Sequence, residues 1–205
     1  MNFEDIKNIF EGRKSKSLDI KQYYGVLVPI IEVDNKPHLL YQVRSFTMRR
    51  QPGEISFPGG KIEEGETSCQ AALRETKEEM GIQTDSIDMI GELDYLLNNT
   101  NDMIYPFLGY LRNVKFEDIK FSSDEVSEIF TVPIDFFINN KPEVYDMSYK
   151  VNVDESFPFH KIQNSANYQR RTMTYPVYFY EYSNYIIWGL TAQITRNFIK
   201  ELRKK

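Results

Sequence analysis

Soft metal ligands are almost missing from this chain of 205 residues, which has one cysteine, Cys69, and two histidines, His38 and His160. A lone thiol closes no internal disulfide, and so few Cys and His residues exclude a zinc site built from them. No stretch approaches the roughly 18 consecutive apolar residues of a membrane span. The opening MNFEDIKNIFEGRKSKS places acids early and lacks a continuous apolar segment, so it does not read as a secretory signal. Cations are in the minority: 25 Lys and Arg against 30 Asp and Glu leave a formal net charge of -5. Such a balance provides no broad basic face for a nucleic-acid backbone. The expectation is a cytoplasmic protein with neither a nucleic-acid partner nor a membrane.

Apolar and aromatic residues are plentiful, at 41% and 14%, enough for a large core and inconsistent with disorder. There is no internal repeat and no low-complexity linker, so a single α+β domain over 1–205 is expected. Phe3, Ile6, Ile9 and Phe10 recur at helical spacing within residues 3–13. Tyr23–Val33 and His38–Val43 read as a hairpin turning at Asn35-Lys36-Pro37. Residues 44–58 read as a structured loop. Further strands are expected over 87–97, 103–111, 126–131 and 174–182, a helical turn over 133–138 and a helix over 191–203. Residues 140–175 show no clear period. Trp188 and the aromatic run Tyr175–Tyr182 read as core rather than as base-stacking surfaces.

One segment is dense in acid. GGKIEEGETSCQAALRETKEEMGI, residues 59–82, carries Glu63, Glu64, Glu66, Glu75, Glu78 and Glu79. Good helix formers fill Ser68–Met80, and Gly81 is placed to end the helix. At about 100° per residue, Cys69, Ala72, Leu73, Thr76 and Met80 share one stripe, while Glu75, Glu78 and Glu79 gather on another face. Acids at i and i+4 destabilise an isolated helix by about 0.2–0.5 kcal/mol. A hard divalent cation such as Mg²⁺ or Mn²⁺ removes that repulsion and takes the oxygens as ligands.

The spacing from Gly60 through Glu66, Arg74, Glu75, Glu78, Glu79 and Gly81 to Ile82 resembles the signature of the Nudix hydrolases, the Nudix box, with Thr76 the one soft position. The resemblance implies an α/β/α sandwich around a mixed β-sheet, with a loop-helix-loop site that hydrolyses a nucleoside diphosphate linked to another group. It implies Mg²⁺ or Mn²⁺ held by Glu75, Glu78 and Glu79, with the Gly60 carbonyl as a further ligand. Arg74 would orient a carboxylate and Glu66 would brace the loop. The general base stays open among Glu75, Glu125 and Glu128.

Upstream, Leu40, Arg44, Ser45, Arg49, Gly53, Phe57, Pro58, Gly59 and Gly60 resemble the additional motif of the coenzyme A diphosphatase branch. Tyr41 and Gln42 depart from that pattern where Leu and Thr are usual. Ile186–Ile194, with its Trp-Gly-Leu-Thr-Ala core, resembles a segment of the same branch. The implied substrate is a coenzyme A-like nucleotide, with Arg44, Ser45, Arg49 and Gly59 on the binding side. Guanidinium forks suit its extra phosphate. Alternatives are another pyrophosphate, such as ADP-ribose or a dinucleotide, and a non-catalytic ligand sensor. The oligomeric state is left open, a homodimer included.

Overall fold

The computed structural model describes residues 1–150, 152–163 and 172–204. Two apolar strands lie at its centre. β1 (Gln22–Val33) and β2 (Lys36–Arg44) form the expected hairpin. The turn falls at Asp34 and Asn35, both with positive φ (51° and 58°), rather than at Asn35-Lys36-Pro37. That conformation suits the right-handed twist of a tight hairpin, and Asp and Asn tolerate it. Lys36 and Pro37 instead begin β2.

β1 also pairs in parallel with β7 (Asp102–Leu111) over nine residues from Gln22 to Ile30. The expected strand over 87–97 divides into β5 (Ile87–Glu92) and β6 (Leu96–Leu97), both antiparallel to β7. The 44–58 loop ends in β3 (Ile55–Ser56) on β2, and β4 (Gly59–Lys61) pairs with β1. β8 (Val126–Pro133) adds to β2, completing a mixed eight-stranded sheet.

Neighbouring side chains of β1 and β2 enter different cores because strand residues alternate between faces. Leu27 and Leu40 join Ala72 and Met80 of α2 (Ser68–Met80) on one face. Val28 and Leu39 join Phe137 of α3 (Ile134–Asn139) and Ile194 and Phe198 of α4 (Gly189–Leu202) on the other. The expected sandwich around a mixed sheet is therefore present.

A second, three-stranded sheet orders β11 (Tyr185–Trp188), β10 (Thr172–Tyr182) and β9 (Glu143–Lys150). All eight residues of β9 are exposed, which explains why 140–150 shows no period: neither face is buried. Residues 151 and 164–171 of the weakly patterned stretch lie outside the described residues. The aromatic residues expected in the core divide: Tyr180 is buried, whereas Trp188 is 41% exposed and stacks on Phe179 with ring centroids 5.7 Å apart. The first helix, α1 (Phe3–Phe10), forms with an Asn2–Asp5 capping box but buries no residue, so its apolar stripe faces outward. Among the described residues no helix is long and apolar enough to cross a membrane.

Candidate active site

The acidic helix α2 starts at a capping box, in which the Thr67 hydroxyl accepts from the Gln70 amide N–H at 3.2 Å and Gln70 Oε1 accepts from Thr67 N–H at 2.9 Å. It ends at Gly81, whose φ of 67° is the left-handed stop expected from the sequence. The face assignment needs correction. Ala71 and Glu79 are buried along with Ala72, Thr76 and Met80, whereas Cys69 and Leu73 are only half-buried. Glu79 thus leaves the acidic face and turns into the protein, at 4% exposure, while Glu78 stays in solvent.

Two donors receive Glu79. Its Oε2 accepts from Gln42 Nε2 at 2.9 Å and from the Gly59 backbone N–H at 3.0 Å. Burial nevertheless pushes its pKa up to about 7; these hydrogen bonds oppose the shift, Glu75 adds to it, and the positive charge of Arg44 counters it. Gln42 was a departure from the family pattern with no role assigned from sequence. The only signal was its place on β2, where a polar residue sits within a buried run.

Arg74 is the hub of the remaining acids. It grips Glu66 through Nε and Nη2 at 3.0 and 3.1 Å, and Nη1 donates to Glu75 at 2.8 Å and to Glu78 at 3.1 Å. Its Nη2 also donates to the Lys61 carbonyl at 3.0 Å, tying α2 to β4. Hydrogen bonding from Arg74 is the main cause that holds the Glu66 carboxyl below its usual range. Glu66 accepts a further bond from the Glu63 N–H at 3.1 Å, so the loop is closed on itself. Glu75 is raised, first by burial and then by the like charges of Glu78 and Glu125, against the pull of Arg74.

The other candidates scatter around this centre. Gly60 lies directly against Glu75: an added Cβ would stand 2.2 Å from the Glu75 carboxyl carbon, so any larger residue there displaces that carboxylate. The Gly59 N–H, expected on the substrate side, is engaged by Glu79 instead. Ser45 is buried, with its hydroxyl 2.9 Å from Thr47 Oγ1, and its backbone N–H donates to the Glu125 carbonyl at 2.8 Å. That bond, with Ser122 N–H to the Glu79 carbonyl at 2.8 Å, brings Glu125 into the field of Glu75. Glu128 is not drawn in; it is exposed and accepts from the Tyr185 hydroxyl of β11. Arg44 is half-buried, and its Nε is enclosed without a partner among the described residues. Arg49 is exposed and forms no ion pair among them.

The donor set of Glu75, Glu78, Glu79 and the Gly60 carbonyl is all oxygen, which suits a hard divalent cation. As oriented, no three His, Cys, Asp or Glu side chains among the described residues converge to hold a metal. Arg74 Nη1 engages Glu75 Oε1 and Glu78 Oε2, which orients both carboxylates and leaves each its other oxygen for a cation.

Comparison with known proteins identifies the family. Residues 22–150 match the NUDIX domain family. "Nudix hydrolase 3" of Caenorhabditis elegans is 32% identical over 180 residues, which are 85% of this chain and 70% of that protein. "Peroxisomal coenzyme A diphosphatase NUDT7" of Mus musculus is 32% identical over 161 residues, covering 74% of this chain and 65% of that one. In fold, the chain superposes over its full length on 69% of a MutT/nudix family protein from Enterococcus faecalis, with a TM-score of 0.50 at 12% identity. The signature residues, the helix that carries them and the matched domain lead to one conclusion: this chain belongs to the Nudix family.

Proposed function

We propose that this chain hydrolyses the pyrophosphate bond of coenzyme A, or of an acyl or oxidised derivative, to 3′,5′-ADP and the corresponding 4′-phosphopantetheine. Its family acts on nucleoside diphosphate derivatives. The observation that carries the finer reading is physical continuity between the two motifs. Gln42 and Gly59, near the two ends of the coenzyme A-type segment, both donate to Glu79, and Ser45 between them holds the Glu125 backbone. A segment that specifies the substrate is thereby joined to the acids that would activate it. The coenzyme A diphosphatase among the chain's relatives supports the same assignment.

Glu75, Glu78 and Glu79, with the Gly60 carbonyl, would hold Mg²⁺ or Mn²⁺. The bound cation supplies charge neutralisation of the phosphoryl oxygens and a lowered pKa for water. Arg74 keeps Glu75 and Glu78 oriented through one shared nitrogen. Glu125, close enough to raise the Glu75 pKa, and Glu75 itself are the candidates to take the proton of the attacking water. The Arg44 guanidinium, half-buried and close enough for its charge to act on Glu79, would meet a phosphate oxygen beside that acid.

Mass spectrometry of products from coenzyme A with Mg²⁺ or Mn²⁺, beside ADP-ribose and a dinucleotide, tests the reading. Cleavage to 3′,5′-ADP by wild type and not by Glu79→Gln is expected. Faster turnover of ADP-ribose or the dinucleotide would transfer the assignment to that substrate.

A further inference from the structure

The C-terminal half of α4 borders a concavity of about 510 Å³ that shares no residue with the acidic site. Its floor is apolar: Phe137 and Tyr180 meet edge to face with centroids 5.0 Å apart, beside buried Ile199. Its rim carries four cations, Lys141, Arg196, Lys200 and Arg203, in a chain whose net charge is -5.

Those charges are not spent on neighbouring acids. Among the described residues, none of the four forms an ion pair with a carboxylate. Of the acids close in sequence, Glu201 pairs with Lys204 at 2.7 Å and Glu143 accepts from the Tyr145 hydroxyl at 2.8 Å. Two of the cations are also held in position. The Arg196 guanidinium lies 4.6 Å above the Tyr178 ring centroid, and Arg203 Nη2 donates to the Ile138 carbonyl at 2.5 Å. Burial raises the Tyr180 pKa, and both arginines oppose it, so their fields meet at one point on the groove floor.

The carbonyl end of α4 accounts for Lys200 in its last turn and Arg203 at its C-cap. It does not account for Lys141, which comes from the connection between α3 and β9, or for Arg196, about two turns earlier. Repulsion among four cations around one groove is offset by an anion bridging them, and arginine forks match phosphate oxygens.

We propose that this groove is a second binding site, for a phosphate- or pyrophosphate-bearing small molecule held by Lys141, Arg196, Lys200 and Arg203. It is separate from the box. Thr191 at the start of α4 donates to the Ile55 carbonyl of β3 at 2.9 Å. Arg203 lies roughly 18 Å further along the axis at 1.5 Å per residue.

Isothermal titration calorimetry with inorganic pyrophosphate, in EDTA and low salt, isolates the groove, because the box carboxylates without a cation repel the anion. Wild type and Glu79→Gln are expected to bind one pyrophosphate saturably and equally. Arg196→Gln/Lys200→Gln weakens binding about tenfold or more while keeping the circular dichroism of the wild type. Lys141→Gln, off the helix, weakens it independently of α4. Absence of saturable binding to wild type overturns the site, and so does affinity unchanged in both groove variants.

Discussion

Gln42 Nε2 lies 2.9 Å from Glu79 Oε2, so a strand residue that departs from the family pattern directly supports the most buried acid of the box. The pairing crosses from the middle of β2 to the last turn of α2. It places an acid where water cannot solvate it and supplies donors for only one of its oxygens. Such a carboxylate is poised to gain from a cation and costs stability without one.

In chelator, Glu79 makes stability depend on pH in a definite direction. Its folded pKa of about 7 exceeds the ordinary carboxylate value, so between roughly pH 4.5 and 7 the folded chain binds more protons than the unfolded chain. The contribution of Glu79 to stability therefore falls as pH rises through that window, by on the order of 3 kcal/mol. Urea unfolding in EDTA at pH 5 and pH 8 is expected to show wild type losing stability relative to Glu79→Gln at the higher pH. Equal pH slopes for both proteins would refute the burial of an ionised Glu79.

Arg74→Lys keeps the charge and removes the fork. One ammonium cannot reach Glu66, Glu75, Glu78 and the Lys61 carbonyl together, contacts that the guanidinium makes at 2.8 to 3.1 Å. Activity is expected to drop about 10- to 100-fold, mainly in kcat, with a weaker metal dependence. Steady-state kinetics over a Mg²⁺ titration checks this; a pure KM effect would contradict a role in orienting the carboxylates.

Arg49 is exposed and belongs to the motif that suggests a 3′-phosphate reader. Arg49→Ala should raise KM roughly fivefold for coenzyme A and leave KM for 3′-dephospho-coenzyme A nearly unchanged. Equal increases for the two substrates would remove Arg49 from phosphate recognition.

Tyr41 replaces a usual Leu and sits fully buried, its hydroxyl 2.9 Å from Thr195 Oγ1. Burial pushes the phenol pKa far upward, so it stays neutral. Tyr41→Phe is expected to cost about 1 kcal/mol in thermal or urea unfolding, with kcat/KM within twofold of wild type. A large activity loss would mean that this ring also shapes the site.

Much of the site was legible in sequence because its information is local. The Arg74-Glu75 pair, the acids at 78 and 79 and Gly81 sit at spacings that one helix imposes, and α2 spans the expected Ser68–Met80. Glu125 was also marked as a candidate from its place beyond the box, and it lies in the field of Glu75. What helical spacing could not tell is which acid loses its water. Glu75, Glu78 and Glu79 look equivalent on a helical projection, yet Glu79 is covered by β2 and β4 and Glu78 remains in solvent.

By itself, the sequence determined the central hairpin, the acid-bearing helix, the terminal helix and the family. Each rests on hydrophobic period, turn chemistry or spacing within one short stretch. Only the tertiary structure decided the partner of Glu79, the sharing of Arg74 among three acids, the outward face of β9 and the cationic groove beside α4. Desolvation and electrostatic fields depend on atoms brought together from distant parts of the chain, as Gln42 and Glu79 are across 37 positions.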